Sequence, residues 1–137
     1  MNNFFSNLTM TVVALVFIAS ISFAQTTKKS KVTKTNPTIE LIQFHTDHRC
    51  MTCNLIEKLT RETLKAYPDI TFKLINVDES KNEKIAEEFE ASGTAVFLYN
   101  PVTKAKKDLT DFAFMNVKTR PEAYKKGLKK EIEKFGK

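Results

Sequence analysis

Two cysteines three positions apart constrain this chain more than any other feature. Cys50 and Cys53 are the only cysteines in its 137 residues. They follow an apolar run, Ile39 to Phe44, and precede a helical pattern that begins at Asn54. A Cys-x-x-Cys pair at a strand-to-helix junction is a redox motif with a mechanism. The spacing sets both sulfurs on one helical face, close enough to close a Cys50–Cys53 disulfide. Cys50 falls at the helix N-terminus, where free N–H groups and the positive dipole end favour a thiolate. The thiolate is the attacking species, so the spacing assigns Cys50 as nucleophile and Cys53, one turn further in, as the resolving thiol.

The surrounding pattern alternates strands and helices. Ile39–His45 is short, β-branched and aromatic, as a buried central strand is. From Cys53, the residues Leu55, Ile56, Leu59, Thr63, Leu64 and Tyr67 recur at helical spacing, and Pro68-Asp69 marks the stop. Ile70–Val77 reads as a second strand, parallel to the first because a helix intervenes. Ser80-x-x-Glu83 predicts a capping box opening a short helix with Ile85, Ala86 and Phe89, closed by Ser92-Gly93. Thr94–Tyr99 is a third strand, Asn100-Pro101 a turn, and Val102–Leu109 a lysine-bearing edge strand. Thr119-x-x-Glu122, with Pro121 in the first turn, predicts the start of a last helix whose stripe is Tyr124, Leu128, Ile132 and Phe135. The order is β-α-β-α-β-β-α. This is an α/β fold with a central mixed sheet of about four strands and flanking helices.

These residues carry a resemblance. The strand Ile39–His45, the pair Cys50/Cys53, the helix after it, the strand ending at Val77-Asp78, and Gly93-Thr94-Ala95-Val96-Phe97-Leu98 together resemble a small secreted thioredoxin-like protein over roughly residues 38–135. The phrases Phe44-His45…Arg49-Cys50-x-x-Cys53 and Ile75-Asn76-Val77-Asp78-Glu79 are most similar to bacterial proteins of the ArsF family of nitrophenyl compound nitroreductase subunits. The resemblance implies a thioredoxin-like fold and thiol–disulfide exchange. It also implies a substrate groove formed by Met51, Thr94 and Ala95. The chain departs from the pattern at several points. Arg49 stands where the superfamily usually has tryptophan, and Met51-Thr52 replaces Gly-Pro between the cysteines. Gln43 or Phe44 falls where thioredoxins bury an acid. Ala95 takes the place of the cis-proline that faces the cysteines. A cis bond before a non-proline residue costs ~3 kcal/mol, so a trans peptide is expected there.

The flanking residues set the context. Leu8–Ala24 is apolar or small and uncharged, and Ser22-Phe23-Ala24 has the small-x-small form of a cleavage site. Residues 1–24 therefore read as a signal peptide, with an uncleaved membrane anchor as the other reading. Residues 25–37, with Lys28, Lys29, Lys31 and Lys34, read as a flexible linker, and 38–137 as the thioredoxin-like domain. Export to a periplasmic or extracellular space is expected, where a cysteine pair persists as a disulfide. A bridge closing so short a loop is a weak staple and a good redox centre.

Three functions follow. The first is an enzyme, a thiol–disulfide oxidoreductase that needs no cofactor and acts as a monomer on protein thiols or disulfides or on a redox partner. Here His48 and Arg49 tune the Cys50 thiolate by charge, or Arg49 faces solvent. The second is a Zn²⁺ or Cu(I) site, because His45, His48, Cys50 and Cys53 form His-x-x-His-x-Cys-x-x-Cys from the only two histidines and two cysteines present. The third is a non-catalytic thioredoxin-like subunit of a redox assembly. Its contact surface would be Met51, Phe112, Phe114 and Met115, unless Phe112–Met115 is core beneath the last helix. The net charge of +6 reflects solvated helix faces, and no nucleic-acid motif accompanies it.

Overall fold

The strand before the cysteines is the axis of the structure. A computed structural model describes residues 38–137, so the expected signal peptide and linker lie outside the described residues. Strand β1 (Glu40–His45) lies between β2 (Thr71–Asn76), to which it is parallel, and β3 (Ala95–Tyr99), to which it is antiparallel. The short β4 (Lys106–Asp108) completes the antiparallel side, giving the order β2-β1-β3-β4. The fold is thioredoxin-like α/β, with a four-stranded mixed sheet and helices on both faces.

Both faces of the sheet are covered, and side-chain alternation sorts the residues between them. Leu41, Val96 and Leu98 point to one face, where they meet α1 (Met51–Leu64), α3 (Thr110–Val117) and α4 (Pro121–Phe135) through Ile56, Leu59, Ala113, Val117, Tyr124 and Leu128. Ile42, Phe44, Phe97 and Tyr99 point to the other face, against Phe89 and Ala91 beyond α2 (Glu83–Glu88). Phe89 is the hub there. Its ring lies 5.1–5.4 Å from those of Phe44, Phe97 and Tyr99 in tilted and edge-on arrangements. This two-sided burial is why β1 reads as a continuous apolar run.

The structure corrects several boundaries. An unexpected helix, α3, precedes α4. Within it Ala113 and Val117 enter the core and Phe112 stacks on Tyr124 at 5.5 Å, whereas Phe114 and Met115 remain 42% and 65% exposed. Phe112–Met115 is therefore part core and part surface. Neither expected capping box forms. Ser80–Asn82 is a 3₁₀ turn leading into α2, and Asn82 turns its amide to the Asn76 carbonyl (2.8 Å). Arg120, not Thr119, precedes α4, with Pro121 in the first turn as expected. The chain leaves α2 through Glu90 at φ 52°, not through Gly93. The α1 helix stops at Leu64, a turn before Pro68, and the edge strand is confined to Lys106–Asp108. Gly127, inside α4, has a packing reason, because a Cβ there would meet the Phe112 ring at 2.6 Å.

The buried Thr60–Tyr124 hydroxyl pair (2.6 Å) links α1 to α4. Burial pushes the Tyr124 hydroxyl up to about 12, against the opposing effect of the Thr60 hydrogen bond. Tyr124→Phe strands the Thr60 hydroxyl and should destabilise the fold by about 1–2 kcal/mol in urea unfolding. Adding Thr60→Val should cost less than the sum of the single changes.

Candidate functional site

The loop Thr46–Arg49 carries the chain from β1 into α1, and the end of β2 holds it. Asp78 Oδ2 accepts from the Asp47 N–H (2.7 Å), Asn76 Nδ2 donates to Asp47 Oδ1 (2.6 Å), and the Val77 N–H donates to the His45 carbonyl (2.8 Å). The phrase Asn76-Val77-Asp78 is thus a clamp on the loop that delivers the cysteines.

Cys50 is the N-cap of α1. Its backbone is extended (φ −73°, ψ 163°) and its sulfur accepts from the Cys53 N–H at 3.3 Å. Cysteine here does what serine or aspartate does in an ordinary cap. Both residues are free thiols, with Sγ atoms 2.6 Å apart. Cys50 is exposed and Cys53 is 4% exposed. The Cys50 thiol is held below its ordinary value by the Cys53 side chain first, then by the Cys53 N–H. Slight burial opposes this, and Thr52 adds to it. The first turn of the helix therefore supplies the donors that favour the thiolate.

Cys53 is held from two sides. Its Sγ lies 3.0 Å from Thr94 Oγ1, just ahead of β3. Beneath it, the buried Gln43 donates from Nε2 to the Cys53 carbonyl (2.9 Å), while Gln43 Oε1 has no partner. Of the expected groove residues, Met51 follows Cys50 and is 81% exposed, and Thr94 meets the Cys53 sulfur. Ala95 pairs with Phe44 of β1, and no peptide bond among the described residues is cis, as expected for the step into Ala95. A cavity of about 650 Å³ opens beyond Gly93, Thr94 and Ala95.

The charged residues before Cys50 go elsewhere. His48 is exposed, and Arg49 Nη2 donates to Glu57 Oε2 at 2.6 Å. Glu57 Oε1 accepts from Arg61 Nε at 2.8 Å. Burial works against the Glu57 carboxylate, but the hydrogen bonds and charges of Arg49 and Arg61 outweigh it and hold the carboxyl below its ordinary value. The spacing of Glu57 and Arg61 is legible as a helical pair; the reach back to Arg49 is not. The proposed metal set does not assemble. Among the described residues no three histidine, cysteine or acidic side chains converge as metal ligands, and His45 Nδ1 lies 2.8 Å from the Thr46 carbonyl oxygen. No described helix is long and apolar enough to cross a membrane.

No protein-family model and no curated protein matches the sequence. Among solved structures the chain is similar to thioredoxin f2 of Chlamydomonas reinhardtii, with 23% identity and a TM-score of 0.45, over 56% of this chain and 69% of that one. It is similar to oxidised thioredoxin O2 of Arabidopsis thaliana, with 21% identity and a TM-score of 0.44, over 52% and 60% of the two chains. It is also similar to oxidised mitochondrial thioredoxin 3 of Saccharomyces cerevisiae, with 26% identity and a TM-score of 0.45, over 68% and 78%. The fold assignment rests on the strand order and on the cysteines at the start of α1.

Two measurements test this geometry. Cys53→Ala removes the first donor to Cys50, so the midpoint of Cys50 alkylation against pH should rise toward the ~8.5 of an ordinary thiol; an unmoved midpoint would clear Cys53 of that role. For Glu57, a depressed carboxyl adds stability that is complete above its unfolded value of about 4.3 and is lost as pH falls through the folded value. Urea unfolding of Glu57→Gln should therefore lose stability less steeply below pH ~4 than the unsubstituted protein.

Proposed function

We propose that this chain is an exported thiol–disulfide oxidoreductase acting through Cys50 and Cys53. One observation carries the reading: an exposed Cys50 sulfur, favoured as thiolate by the helix turn that it caps, lies 2.6 Å from a buried second thiol. Nucleophile and resolving group are already in contact, so the second displacement needs no large motion.

The reaction balances within the pair. The Cys50 thiolate attacks one sulfur of a client disulfide. The client S–S bond breaks, a Cys50–client bond forms, and the released client thiolate takes a proton. Cys53, giving up its proton, then attacks the Cys50 sulfur and expels the second client thiolate, which is protonated in turn. The client is reduced by two electrons and Cys50/Cys53 is oxidised by two. Run backwards, the same steps oxidise a client dithiol. Thr94 Oγ1 lies 3.0 Å from the Cys53 sulfur and holds it in place for the second displacement. Gln43, with no titrating proton, braces the turn from below.

Met51, Thr94 and Ala95 are read as the floor on which a client segment lies, and the partner is a protein thiol or disulfide. Export is supported by the apolar Leu8–Ala24 segment and the Ser22-Phe23-Ala24 site. Kinship with the ArsF proteins is supported by Phe44-His45…Arg49-Cys50-x-x-Cys53 and the Ile75–Glu79 phrase.

The test is catalysed reduction of insulin and of bis(2-hydroxyethyl) disulfide, with dithiothreitol recycling the pair. Turnover should occur, vanish in Cys50→Ser, and stop in Cys53→Ala at a mixed disulfide visible by mass spectrometry. A folded, fully reduced protein that turns over neither substrate would overturn the enzyme reading in favour of a non-catalytic subunit.

A further inference from the structure

Glu57 has no part in the exchange steps, yet it controls the only guanidinium next to the nucleophile. It lies seven residues after Cys50 in the sequence, two turns along the same face of α1. Its two oxygens are divided between Arg49 Nη2 (2.6 Å) and Arg61 Nε (2.8 Å). Arg61 is itself fixed, with its guanidinium 4.5 Å above the Phe72 ring on β2. The carboxylate is thus anchored from the sheet side, and it draws the side chain of Arg49 down the helix while Cys50 sits at the helix start. Both members of the Arg49–Glu57 pair are largely covered, at 27% and 19% side-chain exposure. Arg49 Nε is buried with no acceptor. A cation with a spare donor therefore precedes the reactive sulfur in sequence, while the donors that serve that sulfur come from Cys53 and Thr52.

We propose that Glu57 is a positioning residue that tethers the Arg49 guanidinium along α1 and keeps it off the Cys50 sulfur. The inference rests on the reading of Cys50 as nucleophile and deepens it. The consequence is chemical. A guanidinium at the sulfur would stabilise the thiolate further, lowering its nucleophilicity and making Cys50 a better leaving group. It would stabilise the reduced pair and make the protein a stronger oxidant. With Arg49 tethered, Cys50 stays the more basic attacking thiol, and the pair is biased toward reducing its clients.

The experiment compares the unsubstituted protein with Glu57→Ala, Arg49→Gln and the double variant. It reads the rate of Cys50 alkylation by iodoacetamide at pH 6, the midpoint of the alkylation profile, and the equilibrium constant for disulfide formation with glutathione. In Glu57→Ala the released Arg49 should raise the pH 6 rate at least threefold, lower the midpoint, and reduce the disulfide-formation constant at least threefold. Arg49→Gln alone should stay within twofold of the unsubstituted protein. The double variant should return to within twofold of Arg49→Gln, and any difference between those two isolates direct repulsion between the Glu57 carboxylate and the thiolate.

A Glu57→Ala rate at or below that of the unsubstituted protein would overturn the proposal. So would a double variant as fast as Glu57→Ala. Should circular dichroism show Glu57→Ala unfolded, Glu57→Gln takes its place with the same expected signs. A displaced Cys50 profile indifferent to Glu57 would sink this proposal alone. An ordinary thiol profile in the unsubstituted protein would remove the nucleophile reading and this proposal with it.

Discussion

The hydrogen bond from the buried Gln43 amide to the Cys53 carbonyl joins the central strand to the first turn of α1, and the chemistry is placed by that joint. Gln43 is fully buried among Leu41, Ile42 and Phe44, which are equally buried. A polar side chain in such a row costs free energy unless it is used, and leaving Oε1 unpartnered adds to the cost by about 1–3 kcal/mol. The Nε2 bond fixes the helix turn on the strand at the residue whose sulfur lies 2.6 Å from that of Cys50. The reactive pair therefore inherits the rigidity of β1, which is paired on both sides and covered on both faces.

Around that joint the elements divide the work. β2 contributes no sulfur chemistry, but its end clamps the loop that leads to Cys50. β3 brings Thr94 to the Cys53 sulfur, and its pairing with β1 in register, Ala95 beside Phe44, decides that Thr94 arrives there. A slip of one residue would send every side chain of that strand to the opposite face. The helices α3 and α4 close the core under α1 through Phe112, Tyr124 and Gly127, which keeps α1 seated on the sheet.

The site relies on backbone and neutral donors more than on charge. Cys50 is favoured as thiolate by the Cys53 thiol and N–H and by Thr52. The conspicuous cation of the motif, Arg49, is engaged with Glu57. On the proposed function this sulfur serves alternately as attacking group and leaving group, and a thiolate bound too tightly by charge is poor at the first task. Free exposure of His48, and of Met51 on the solvent side, leaves the approach to Cys50 open.

The sequence alone determined the cysteine motif and the order of the elements. A Cys-x-x-Cys between a strand pattern and a helix pattern, the apolar run Ile39–Phe44 and the helical stripes are local signals, and they placed four strands and three of the four α-helices among the described residues. Of Gln43 and Phe44, which the resemblance sets where thioredoxins bury an acid, Gln43 is the one bonded to Cys53. The rest is non-local. α3 was hidden because Phe112–Met115 splits between core and solvent, which weakens helical periodicity. At the Ser80 capping box a 3₁₀ turn forms instead, and Asn82 bonds the Asn76 carbonyl. The four-ligand metal pattern exists as spacing, but among the described residues its side chains do not converge. The Arg49–Glu57 pair, the Thr94–Cys53 contact and the loop clamp join residues 8 to 41 positions apart. Only the packed sheet decided which of those side chains meet, because a hydrogen bond depends on distance and angle within a few tenths of an ångström, and sequence separation does not encode them.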